Sequence, residues 1–163
     1  MKFTVSAAYY LLALLVCGVQ ADKEPLKDQS RLINLQSSRH HDVRLHCAHY
    51  PDWRIADEGD VLHFHSPHYP RLYPHSSRCG WQFKGKNEGI YFTINCQVFE
   101  MEAASGGKCK DYLSIKDESQ QSQMFCGSQS PSLTVGNKVT MKFQSSYRKQ
   151  AIGFTCTATA YLS

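Results

Sequence analysis

GFTCTATA, residues 153–160, alternates strictly: Phe154, Cys156, Ala158 and Ala160 hold one parity, and Thr155, Thr157 and Thr159 hold the other. Successive side chains of a β-strand point to opposite faces, so the pattern describes a strand with one buried face and one wet face. It also sets a cysteine among the inward residues. What that cysteine does depends on the compartment the chain inhabits and on the strands around it.

The same parity recurs upstream. In GIYFTINCQVF the apolar set is Ile90, Phe92, Ile94, Cys96 and Val98, with Tyr91, Thr93, Asn95 and Gln97 on the other face. Val139, Met141 and Phe143 alternate with Lys138, Thr140, Lys142 and Gln144; Leu62 and Phe64 alternate with His63 and His65; Leu113 and Ile115 lie in the shorter DYLSIKD. Short alternating segments divided by Pro and Gly, with no amphipathic helix between them, predict an all-β fold, an antiparallel β-sandwich or jelly roll. A fully parallel sheet would need crossover helices, and no such segment is present.

Residues 1–21, MKFTVSAAYYLLALLVCGVQA, have a basic start at Lys2, an apolar stretch through Val16 and small residues before a cleavage point after Ala21. This is the pattern of a secretory signal peptide; the apolar stretch is shorter than the ~20 residues a bilayer core requires, and no later segment could span one. Residues 22–46 are polar, charged and aperiodic, and are expected to form a flexible N-terminal extension or a propeptide. One domain, 47–163, suits the remaining length. The formal charge of +4 comes without a Lys/Arg cluster, which speaks against nucleic acid.

Cys17 belongs to the signal segment, leaving Cys47, Cys79, Cys96, Cys109, Cys126 and Cys156. An even set in an exported domain reads as a disulfide framework whose pairing sequence alone does not rank. Cys96 and Cys156 share an inward parity on long strands, and a bridge between them is favoured over two buried free thiols.

HSPHYPRLYPHSSRCGWQF, then CKDYLSI, FCG and FQSSYRKQAIGF, resemble a CUB domain over about Cys47 to Tyr161. The marks are Ser66, Pro67, Tyr69, Pro70, Tyr73 and Pro74; Cys79 with Trp81; Cys109 with Asp111 and Tyr112; Cys126 with Gly127; and Phe143, Gly153 and Phe154. The resemblance implies a compact β-sandwich, with Cys47 joined to Cys79 and Cys109 to Cys126. Cys96 and Cys156 remain as an additional pair, reading as a cross-core bridge. An extra pair of this kind is expected in the CUB modules of arthropod serine proteases, and the chain resembles such a module standing alone.

Many CUB domains bind calcium in a loop cluster that clamps a basic side chain of the partner. Carried over, Tyr73, Glu102 and Asp111 match that site, while Ser146 stands where the FxSD motif has its third acid and Arg148 and Lys149 follow. With one carboxylate fewer and two cations close by, the expectation is a degenerate site and no cofactor. His63 and His65 share a strand face and could join His49, His68 or His75 around zinc, but surface histidines are the plainer expectation. Catalysis has no motif behind it; Ser66 beside His65 and His68 is local proximity only. The Tyr50, Trp53, Tyr69 and Tyr73 aromatics read as turn and core packing, or alternatively as a contact surface. The functional expectation is a secreted, non-enzymatic module binding an extracellular protein or glycan through its loops. A venom or saliva effector acting on extracellular serine proteases is the alternative.

Overall fold

The computed structural model describes residues 42–163; residues 1–41, with the signal peptide and most of the extension expected there, lie outside the described residues. Among the described residues ten strands form two five-stranded sheets. The first sheet runs β1 (Asp42–Leu45), β3 (Val61–His65), β10 (Gly153–Leu162), β5 (Ile90–Glu100) and β8 (Ser132–Val135). The second runs β2 (Trp53–Ala56), β4 (Arg78–Gly85), β9 (Lys138–Gln144), β6 (Tyr112–Asp117) and β7 (Ser122–Phe125).

Alternation translates directly into burial. On β10 Phe154, Cys156, Ala158 and Ala160 are fully buried while the intervening threonines keep contact with solvent. Phe64, Trp81, Phe83, Ile94, Leu113 and Met141 supply inward residues from both sheets. Phe154 stands at the centre: its ring lies 5.9 Å from Trp81, 5.7 Å from Phe99 and 5.8 Å from Phe143, so it joins the two layers. Burying each such aromatic contributes roughly 1.5–3 kcal/mol, and offset or edge-on ring contacts add to that.

Three features depart from the sequence expectation. First, the sheets are mixed: β1 joins β3 in parallel and β2 joins β4 in parallel, while the other pairs are antiparallel. No helix is needed, because β1 to β4 alternate between the sheets. β2 in one layer is the crossover that returns the chain to lie parallel to β1 in the other. Second, the ordered domain begins before Cys47. Asp42–Leu45, assigned to the flexible extension, form an edge strand whose Val43 and Leu45 pack against the core. Third, Val98 is exposed and Phe99 is buried, the reverse of strict alternation. Cys156 faces Cys96 and Thr155 faces Val98, which leaves Gln97 as an extra residue: a β-bulge that inverts the parity beyond it.

The disulfides are Cys47–Cys79, Cys96–Cys156 and Cys109–Cys126. Cys96 and Cys156 sit directly opposite on the neighbouring strands β5 and β10, so their bridge staples one sheet laterally rather than crossing the core between sheets.

Candidate functional site

At one end of the sandwich the loops leaving β5 and β9 and the loop entering β6 meet the turn-rich stretch 66–77. This brings Tyr73, Glu102, Asp111 and Ser146 together from four remote parts of the chain. Asp111, fully buried, is the hub. Its Oδ2 accepts the Tyr73 hydroxyl at 2.7 Å and its Oδ1 accepts the Ser146 amide at 2.6 Å. The Ser146 hydroxyl donates to Glu102 Oε2 at 3.3 Å, and the Glu102 amide donates back to the Tyr73 oxygen at 3.2 Å. A carboxylate that receives two donors in a dry site forms strong, directional bonds, which fix all three loops at once.

Further bonds brace the cluster. The Ser145 hydroxyl donates to the Pro74 carbonyl at 2.7 Å and accepts the Ser77 amide at 2.9 Å, and the Gln150 side chain donates to the Tyr73 carbonyl at 2.7 Å. Sequence reasoning missed Ser145 and Gln150, because a serine or glutamine in a loop carries no pattern that announces its backbone partner. The Glu102 carbonyl receives the Gly127 amide, which ties the cluster to the turn closed by Cys109–Cys126. Gly153 lets β10 start against this end: its φ is 89°, and a Cβ there would lie 1.9 Å from Ser66 Oγ.

Burial, reinforced by the bond to Asp111, pushes the Tyr73 hydroxyl well above the ordinary tyrosine pKa. The native state therefore holds this proton more tightly than the unfolded chain. Stability is full below about pH 10, where unfolded tyrosine titrates, and is lost as pH rises toward the folded value. Alkaline denaturation monitored by fluorescence should show this limb, and Tyr73→Phe should flatten it; an unchanged limb in that variant would contradict the assignment.

Beyond the cluster the tip is open. Tyr147 is 70% exposed, and Arg148 Nε donates to its hydroxyl at 3.1 Å. That bond, and then Glu102, hold the Arg148 guanidinium above its ordinary value.

The donor set does not fit a calcium ion. Calcium takes six to eight oxygens with several carboxylates among them. Here only two carboxylates, Asp111 and Glu102, are gathered, and Ser146 brings a donor hydroxyl where the family motif has an acid. The histidines are dispersed: His63 Nε2 contacts Asp42 at 2.7 Å, His65 packs edge-on against His46, and His49 contacts the Arg78 carbonyl. Among the described residues no three His, Cys, Asp or Glu side chains are grouped to hold a metal. Ser66 is fully buried and its oxygen accepts the Phe154 amide, so its neighbourhood to His65 and His68 is structural. Of the four singled-out aromatics, Tyr73 is buried, Tyr69 is half-buried against His65, and Tyr50 and Trp53 are exposed.

Residues 57–157 match the family model for the CUB domain. The chain belongs to the CUB family. Rat "Complement C1s subcomponent" is 35% identical over 129 residues, covering 66% of this chain and 19% of that protein. The CUB chain thus spans about a fifth of the length of that relative. Among solved structures, the "Full extracellular region of zebrafish Gpr126/Adgrg6" aligns with a TM-score of 0.60 at 27% identity, over 73% of this chain and 15% of the other. "Crystal structure of the MASP-1 CUB2 domain bound to Ca2+" aligns with a TM-score of 0.56 at 21% identity, over 69% of this chain and 99% of that one, a likeness of fold alone. The kinship found is with vertebrate complement C1s, which corrects the expected closeness to arthropod serine proteases. Nothing in the fold or these relatives points to venom or saliva.

Proposed function

We propose that this CUB chain is a secreted, non-catalytic module that binds an extracellular protein through the loop end built on Tyr73, Glu102, Asp111 and Ser146, and does so without a metal. The hydrogen-bonded closure around Asp111 carries the reading: it supplies from side chains and one amide the loop rigidity that a cation would otherwise impose. A rigid loop end with an exposed Tyr147 beside Arg148 has the residue types that anchor protein interfaces. Three disulfides call for an oxidising compartment, in keeping with the signal peptide expected over residues 1–21. The absence of a catalytic motif and the burial of Ser66 support a binding role rather than a reaction.

The test has two arms. Millimolar calcium should shift the melting temperature of the wild-type protein by no more than about 1–2 °C, whereas Ser146→Asp, which restores the acid, should gain a shift of several degrees. A large calcium shift in the wild type would defeat the metal-free reading. In the second arm, a partner captured from the native extracellular fluid should be retained in EDTA and lost by Tyr147→Ala with Arg148→Ala; retention by that double variant would place binding elsewhere.

A further inference from the structure

Two concavities open on the outer face of the second sheet, one of them reaching toward the loop end at Arg78, Tyr112 and Gln144. A groove of 620 Å³ and an adjoining dip of 180 Å³ share Gln82, Thr140 and Lys142 on the outer face of the second sheet. Register arranges that face in rows. Lys84 stands directly opposite Lys138; the next row is Trp53, Gln82, Thr140, Lys116 and Ser122; the next is Gly80, Lys142, Ser114 and Met124. Gly80 makes the dip, since a Cβ there would come 2.2 Å from the Met141 carbonyl oxygen.

Charge is segregated between the two layers. Strands of the second sheet carry Arg54, Arg78, Lys84, Lys116, Lys138 and Lys142 against the single acid Asp117. Strands of the first sheet carry only Arg44 as a cation, with Asp42 and Glu100. Like charges directly opposite on a sheet disfavour folding, yet Lys84 and Lys138 are so placed, and none of these four lysines takes part in an ion pair among the described residues. Asp117 and Glu118, at the β6–β7 turn, line one end of the groove, and Glu88 shares a hollow with Lys84 and Lys138 at the sheet's margin.

We infer that this face binds a sulfated polysaccharide. Along the groove it offers lysine ammonium groups, an amide and hydroxyls. The large exposed apolar residues of the face, Trp53 and Ile55 on β2 and Met124 on β7, stand at opposite edges of the sheet. That is the inverse of a protein interface, whose centre is apolar and depleted of charge. Lysine is a compact charge suited to dispersed sulfates, where paired recognition of carboxylates favours arginine. Lys138 and Lys142 are spaced about 14 Å apart along β9 at the usual rise per residue, a span for successive sulfates of a linear chain. Trp53, 44% exposed at the rim, presents a flat ring to a sugar.

The experiment uses the full secreted chain and a heparin octasaccharide, with affinity measured by calorimetry at two salt concentrations. Binding should weaken as salt rises, and Lys138→Gln with Lys142→Gln should lose about tenfold in affinity. Lys84→Gln with Lys116→Gln should lose as much, which guards against a folding defect in the first pair; thermal melts of both should match the wild type or rise. Lys108→Gln with Lys149→Gln, the same charge change in loops, should lose no more than about twofold. Equal losses from face and loop variants would reduce the effect to net charge and overturn the inference. So would equal binding of desulfated heparin, or lysine-dependent binding of poly-glutamate at matching affinity, which would make an acidic polypeptide the occupant. The loop-end reading is independent: its failure leaves this lysine dependence intact.

Discussion

Replacing Cys96 and Cys156 together by alanine should lower the unfolding free energy by about 4 kcal/mol, a large fraction of what a domain of this size possesses. The bridge closes a segment of 60 residues, against 32 for Cys47–Cys79 and 17 for Cys109–Cys126. In the chain-entropy account the longest loop confines the unfolded chain most, so this bridge should rank first of the three. The folded sheet should survive the change, because β10 remains paired with β5 from Gly153 to Leu162 and Cys156 leaves only a small void. Urea denaturation followed by circular dichroism gives the comparison. A loss under about 1 kcal/mol with an unchanged m-value would mean that the bridge is ornamental.

The second large effect is expected at Asp111. Asp111→Ala removes the acceptor of both the Tyr73 hydroxyl and the Ser146 amide inside a dry site, at a cost of about 1–3 kcal/mol for each donor left without a partner. A total near 3 kcal/mol should lower the melting temperature by roughly 10–15 °C. Asp111→Asn, similar in shape and still able to accept one bond, should lose less. A double-mutant cycle with Tyr73→Phe should return a coupling of about 1 kcal/mol or more, as expected for groups in one network. Additive losses would mean that the two residues are neighbours without being partners. Both variants should also loosen the Ser146–Arg148 tip, so partner capture should weaken before global unfolding, a separation visible by hydrogen exchange in the loops.

Strand content, the inward residues of β10 and β9 and the all-β class were legible because parity is a property of a single strand and needs no knowledge of its neighbours. The marks from Ser66 to Phe154 likewise led to the CUB family, since each reports a turn or core position at a set distance along the chain. The conjunction of Tyr73, Glu102, Asp111 and Ser146 was legible only through that resemblance; nothing local in those four segments says that they touch.

Other features lay beyond any local reading. The bulge at Gln97 exchanged Val98 for Phe99 in the core because pairing with Thr155 and Cys156 counts residues on two strands at once. Val43 and Leu45 became an edge strand only because β3 offers a free parallel edge, which a charged, aperiodic stretch does not announce. The lysine rows exist only in register, where Lys84 from β4 meets Lys138 from β9 across more than fifty residues of chain. Alternation along one strand tells which side chains turn inward; which neighbours they meet is set by contacts between distant segments, whose energies appear only when the two layers close.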